Sequence, residues 1–247
     1  MLNALLNSPE IEIVAVISST RNLKIRESTI GSALKRISLS GLHYAVYLWL
    51  ISGGHALFSI VTKGSIQALA KKNHIPVYKT NNINSDEIKS IMLKLDIDIL
   101  LCAHFNQLVS PEIYSLAKDS ALNVHPSLLP DLKGVDPSFY ALLEGYEKTG
   151  VSLHHLDSAF DTGALVSNQE YQIQDNDSLL SLNCKLFQAG GELCVNFIKF
   201  RKKSPPLNSS LRNRYDSWPQ KNDVNRFRQT KKLISFQDIR LFFMKSH

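Results

Sequence analysis

Apolar positions along the chain change period several times, and each change marks an element. Residues 10–19, EIEIVAVISS, form a β-branched run of strand length. A short helical pattern in Leu2–Leu6 and the turn signal Ser8-Pro9 precede it. Residues 65–80 predict a helix that breaks at Pro76 into a short strand. In 85–95, SDEIKSIMLKL, Ser85 is a candidate N-cap, and Asp86 and Glu87 occupy the first turn, where the helix dipole favours acids. Residues 96–104, DIDILLCAH, suit a parallel strand covered on both faces. A helix restarts at 110–118, with Pro111 acceptable in its first turn. An extended ALNVHP, a helix around 136–145 and an alternating strand over 150–157 follow. Strand alternating with helix predicts an α/β protein with a doubly wound, mostly parallel sheet. Such sheets bind ligands beyond the carboxyl ends of their strands, where His104 and His125 fall.

Two stretches break this pattern. Residues 42–61, LHYAVYLWLISGGHALFSIV, hold no Lys, Arg, Asp or Glu over about the length that spans a bilayer. Gly53-Gly54, His43 and His55 interrupt the run, and Lys35-Arg36 and Lys63 flank it. Three readings stay open: a spanning helix, a pair of membrane-surface helices, or helices buried in the protein or an oligomer interface. The other stretch, SPPLNSS at 204–210, reads as a linker, dividing a body of residues 1–200 from a linker and tail of 201–247.

Charge sharpens that division. The net charge is +6 over 247 residues. Residues 1–198 carry a net −4, while 199–247 carry 13 Lys/Arg against 3 acids, a net +10. A polyanionic partner would therefore bind the tail, although a solvated basic tail has the same composition. The three cysteines, Cys102, Cys184 and Cys194, form no C-x-x-C pair, which argues for buried thiols in a reducing compartment rather than disulfides or a zinc site. The first apolar stretch is short and interrupted by Asn3, Asn7 and Pro9, unlike a secretory signal.

The candidate chemistry gathers where the strands end. Asn123 and His125 are two apart and share a face of an extended strand, and Pro126 keeps His125 out of helical geometry. Ser152 and His154 likewise share a face. The adjacent His154 and His155 point to opposite faces and cannot hold one metal together, so no metal is expected. Asp161 follows on a loop ending in DTG, where Gly163 permits a tight turn. An Asn, a His and an Asp suit acyl transfer to an amine. Asn123 and protonated His125 supply donors to the oxyanion, and Asp161 stabilises the imidazolium and relays protons through water. No Ser or Cys occupies a nucleophile elbow, which favours direct transfer over an acyl-enzyme. A strand-end histidine and a loop aspartate without chemistry fit the same spacing.

The segment NVHPSLLPDLKGVDPSFYALLEGYEKTGVSLHHLDSAFDTGALV, 123–166, closely resembles the core of the 10-formyltetrahydrofolate-dependent formyltransferases. These include the methionyl-tRNA, glycinamide ribonucleotide and sugar-nucleotide formyltransferases. The shared string comprises N-x-H-P-S-L-L-P, Gly134, T-G-V-S-x-H, and D-T-G beginning 36 residues after His125. The resemblance spans roughly residues 2–200. It implies a Rossmann-like formyltransferase fold, a catalytic trio of Asn123, His125 and Asp161, and supporting roles for Ser152 and His154. It also implies a folate pocket lined by Phe105, Gln107, Val109, Ala159 and Phe160, largely through backbone groups. The implied donor is 10-formyltetrahydrofolate and the implied acceptor a primary amine, methionyl-tRNA-like or a nucleotide-linked amino sugar.

Two departures shape the remaining expectations. Met1 falls where the family's first helix starts, so the usual first strand is expected to be missing. Only 47 residues follow Phe200, too few for the C-terminal barrel of about a hundred residues carried by methionyl-tRNA formyltransferases. The resulting expectation is a cytoplasmic enzyme whose residues 201–247 contact tRNA or an anionic membrane, with peripheral membrane association as one form of the latter. The competing expectation is a truncated, non-catalytic protein of the same fold that binds folate or RNA.

Overall fold

The computed structural model describes residues 1–20, 29–51, 66–201 and 215–238. Its strands are β1 (Val16–Ser19), β2 (Val77–Thr80), β3 (Ile99–Ala103), β4 (Ser120–His125), β5 (Lys133–Gly134), β6 (Lys148–His155), β7 (Leu165–Gln172) and β8 (Tyr215–Asp216). Its helices are α1 (Leu2–Leu6), α2 (Thr29–Ile51), α3 (Ile66–Lys72), α4 (Asp86–Leu95), α5 (Pro111–Tyr114), α6 (Pro137–Leu143), α7 (Leu179–Phe200) and α8 (Lys221–Thr230). The linker read at 204–210 lies outside the described residues.

The central sheet runs β3-β4-β6-β7, and β1 and β2 pair parallel in a separate sheet. β3 and β4 are parallel, whereas β6 and β7 add antiparallel strands. Along β3 the side chains alternate between two cores. Ile99, Leu101 and Ala103 join a cluster with Leu5, Val124, Val151, Leu193 and Phe197, while Leu100 and Cys102 join one with Ile88, Met92 and Ile113. Helices α1 and α7 thus cover one face and α4 and α5 the other, giving the doubly wound, Rossmann-like α/β arrangement.

Local chemistry explains most boundaries. The Ser85 side chain caps α4 by accepting from the Ile88 N–H, and Asp96 ends that helix in a left-handed conformation. The expected strand over 10–19 pairs only from Val16 onward; Ile11 and Ile13 instead pack beside α7. The helix expected over 110–118 is a single turn, because the carbonyls of Ile97 and Asp98 accept the N–H groups of Lys118 and Asp119 and pull the chain into the next strand. Cys194 is buried and Cys102 partly so, and burial pushes both thiols up to about 12. Cys184, expected to be buried, is exposed on α7, so composition misplaced it.

A third cluster joins α2, α6, α7 and α8, with Tyr44, Phe139, Leu182, Leu186, Val224 and Phe227 at its centre. The Phe139 and Phe227 rings stack with centroids 4.6 Å apart. The segment read as a basic tail is therefore packed against the body from residue 215 to 238. Leu179 and Leu180 at the start of α7 also donate their N–H groups to the carbonyls of Lys232 and Leu233. The 42–61 stretch divides: residues 42–51 belong to α2, which bends at Gly41, and the rest lies outside the described residues. Among the described residues, no helix is long and apolar enough to cross a membrane.

Candidate active site

Register brings the candidate residues together. In the antiparallel β4–β6 pair, Asn123 stands opposite His154 and His125 opposite Ser152. Directly opposed residues project to one face, so these four side chains cluster at the carboxyl end of β4. Asp161 completes the cluster from the loop between β6 and β7. Its own backbone is left-handed (φ 56°), and the tight approach that needs a glycine comes at Gly163, where a Cβ would lie 1.8 Å from the His155 carbonyl oxygen.

The hydrogen bonds fix an order of donors and acceptors. His154 Nδ1 lies 2.8 Å from the carbonyl of His155, an acceptor, so that nitrogen carries the proton. Nε2 must then accept, and Asn123 Nδ2 donates to it over 3.0 Å. Burial holds the His154 pKa below its ordinary value, which keeps the ring neutral in this role. A backbone carbonyl thereby sets the tautomer of His154, and His154 sets the orientation of the Asn123 amide. The second amide hydrogen of Asn123 is left to donate elsewhere.

His125 is buried, with Nε2 3.1 Å from the Leu132 carbonyl and Nδ1 3.3 Å from Asp161 Oδ1. Both ring nitrogens face acceptors. The other oxygen of Asp161 accepts the Gly134 N–H over 3.1 Å. Ser152 stands back from this centre. It donates to the Ser127 carbonyl and accepts the Leu129 N–H, pinning the loop after Pro126 to β6.

The five expected pocket residues divide. Gln107 is buried, accepting the Ile83 N–H and donating to Ser19, so its side chain ties the end of β1 to the loop after β2. Val109 lies in the core, and Phe105 packs against the same cluster. Ala159 and Phe160 are exposed. For Gln107 and Val109 only backbone groups remain to meet a ligand. His104 sits just past β3 with its ring edge-on to Phe187, apart from the cluster's hydrogen bonds.

Sequence reasoning missed three participants. Leu132 O and Gly134 N are backbone groups with no side-chain signature. The third is β8, which pairs with β5 so that Tyr215 lies beside Lys133 and Asp216 beside Gly134. Gly134 has φ +124°, and a Cβ there would lie 1.9 Å from the Asp216 carbonyl oxygen, so only glycine admits this strand. Partial burial and the Asp161 charge raise the pKa of Tyr215, which is half-exposed.

Comparison with known proteins identifies the family. The methionyl-tRNA formyltransferase of Staphylococcus aureus (strain JH1) is 31% identical over 134 residues, 54% of this chain and 43% of the relative. That of Staphylococcus epidermidis (strain RP62A) is 31% identical over 161 residues, 65% of this chain and 49% of the relative. The chain thus spans about half the length of the curated relatives it matches. Two solved structures share the fold. A phosphoribosylglycinamide formyltransferase from Anaplasma phagocytophilum has a TM-score of 0.51 and 20% identity, covering 76% of this chain and 85% of that one. A sugar N-formyltransferase from Shewanella sp. FDAARGOS_354 has a TM-score of 0.50 and 15% identity, covering 83% and 76%. The family model described as formyl transferase matches residues 50–198, which hold both β4 and β6 and the whole Asn123–His125–His154–Asp161 cluster. With more than half of its length so matched, this chain belongs to the formyl transferase family.

Proposed function

We propose that the protein transfers a formyl group from 10-formyltetrahydrofolate to a primary amine, with Asn123, His125 and Asp161 as its catalytic residues. The observation that carries this reading is the ordered cluster itself. It combines an amide with one hydrogen still to donate and a histidine whose two ring nitrogens both face acceptors, on one face at a strand end, with a loop carboxylate against that histidine. In the reaction the amine nitrogen attacks the formyl carbon, and the carbonyl oxygen becomes an oxyanion. Asn123 Nδ2 donates to that oxyanion, and His125 does so by exchanging its Leu132 carbonyl partner for it. The amine loses a proton to water held by Asp161, the bond from carbon to N10 of the folate breaks, and N10 takes up a proton. Atoms and charge balance: one C–N bond forms as another breaks.

The acceptor is a phosphate-bearing amine, either an aminoacyl-tRNA or a nucleotide-linked amino sugar. The net +10 of residues 199–247 supports phosphate, and the pairing of β8 with Gly134, whose N–H Asp161 accepts, supports a role for this segment in receiving the acceptor. The folate donor enters as a substrate, facing backbone groups of 104–109 and 158–161.

Calorimetric titration with 5-formyltetrahydrofolate, a stable stand-in for the donor, tests the pocket, and turnover against a panel of amines tests the reaction. Saturable binding and turnover are expected, with turnover lost in His125→Ala while binding persists. Turnover that survives in His125→Ala would refute the assigned mechanism. A folded protein that binds the folate and formylates none of the amines would favour a binding role instead.

A further inference from the structure

Helix α2 carries a face that neither the sheet nor the active site uses. The helix leaves the β1–β2 connection and packs on the third core, beside α6 and α8. Past the bend at Gly41, its residues LHYAVYLWLI include no Lys, Arg, Asp or Glu. Tyr44 and Tyr47 point inward. Tyr44 Oη donates to Asp136 over 2.6 Å, and Tyr47 Oη accepts from Asn183. The outward side is apolar as well: Leu42, Val46 and Trp49 are 57%, 45% and 52% exposed. Their spacing of four and three residues places them on one stripe, and Leu39, just before the bend, is also exposed. A helix at a water-facing surface normally carries charge there. Beyond Gly41 this one carries no Lys, Arg, Asp or Glu, and His43 is its one exposed titratable side chain.

The neighbouring helix supplies what the stripe lacks. The stem of Lys221 lies against Gly41, and Lys221, Arg226 and Arg228 on α8 are exposed, with Asp223 the one acid of that helix. An apolar stripe beside a basic helix matches the two demands of an anionic bilayer surface. Leu, Val and Trp side chains enter the boundary between headgroups and acyl chains, while Lys and Arg meet lipid phosphates. RNA would use the cations and leave the stripe in water. A second copy of the chain would cover the stripe and set like charges against each other.

We propose that α2 and α8 together form a docking face for anionic membrane surfaces, with Leu42, Val46 and Trp49 inserted and Lys221, Arg226 and Arg228 on the lipid phosphates. This face does not depend on the formyl-transfer reading, because none of its residues belongs to the catalytic cluster.

The chain has two tryptophans, and Trp218 packs against the third core, so Trp218→Phe leaves Trp49 as the sole emitter on the stripe. The full-length variant is titrated with vesicles of phosphatidylcholine alone or of phosphatidylcholine with phosphatidylglycerol. Sedimentation and the Trp49 emission wavelength are followed together. The expected result is co-sedimentation and a shift to shorter wavelength with the anionic vesicles only, weakened but not abolished at about 0.5 M salt. Leu42→Glu or Val46→Glu, at exposed positions that leave the fold intact by circular dichroism, should weaken partitioning at least about tenfold. Replacing Lys221, Arg226 and Arg228 with Gln should remove the preference for anionic lipid. Three results overturn the proposal. A folded protein that leaves both vesicle types untouched is one. Tight tRNA binding that Leu42→Glu does not alter, without vesicle binding, is the second. A concentration-dependent dimer that Val46→Glu disperses, again without vesicle binding, is the third.

Discussion

Phe227 offers the most direct measure of how firmly residues 215–238 belong to the body of the protein. Its side chain is fully buried, and its ring is stacked on Phe139 with an angle of 15° between the planes. Phe227→Ala removes the ring from α8 and leaves a void between α8 and α6. A buried Phe→Ala change costs about 3–5 kcal/mol, a range that includes the lost transfer energy and the residual cavity. Stacking contributes about 0.5–1.5 kcal/mol beyond area, which argues for the upper half of that range. Urea unfolding followed by far-ultraviolet circular dichroism measures it. With a slope of about 2–3 kcal/mol/M for a chain of this size, the midpoint should fall by roughly 1.3–2.5 M. Phe227→Leu, which keeps most of the volume, should cost less than half as much. A loss under about 1 kcal/mol with an unchanged slope would refute the reasoning. Helix α8 would then lie on the surface without contributing to the cooperative core.

Gly134→Ala sets a methyl group against the Asp216 carbonyl, so it should displace β8, loosen the Asp161 contact, and lower both the melting temperature and turnover; a variant as stable and active as the parent would contradict the β5–β8 pairing. His154→Phe keeps a ring but removes the acceptor that orients Asn123, so kcat should fall on the order of 10–100-fold while affinity for 5-formyltetrahydrofolate holds, measured by turnover and calorimetry. Burial pushes the Asp136 carboxyl up to about 6, opposed by the hydrogen bonds from Tyr44 and the Phe139 N–H. An acid whose pKa is raised on folding holds its proton more tightly in the native state, so its contribution is full below about pH 4 and declines as the pH rises to about 6. The stability of the parent relative to Asp136→Asn should therefore drop by up to about 3 kcal/mol between pH 4 and 7, as followed by urea unfolding; a pH-independent difference would contradict the assignment.

The legible parts of the site were those written in side chains with a fixed parity. Asn123 and His125 could be placed on one face because they are two apart on an extended run closed by Pro126, and Ser152 and His154 by the same rule. Their meeting required the antiparallel register of β6 against β4, which no local pattern encodes. Leu132 O and Gly134 N were illegible because every residue has such groups and only tertiary position makes them partners. The Lys and Arg residues of 221–232 masked the Val224–Phe227 pair, whose three-residue spacing is the signal that α8 has a buried face. Cys184 was misjudged because composition reports how thiols are usually placed, not which side of α7 a given one occupies.

The two-residue ladder between β5 and β8 also bears on where this protein can be cut. The family match stops at residue 198, but the fold does not. A polypeptide ended there would lose the Asp216 carbonyl that accepts the Val135 N–H, and Phe139 and Tyr140 would face water without Phe227 and the Ser217 carbonyl. Gly134, whose N–H holds Asp161, sits in the same short strand. The smallest unit that keeps Asp161 in register therefore extends some forty residues beyond the region that similarity alone would delimit, to Asp238, whose carboxylate receives the hydroxyl of the α7 cap Ser178.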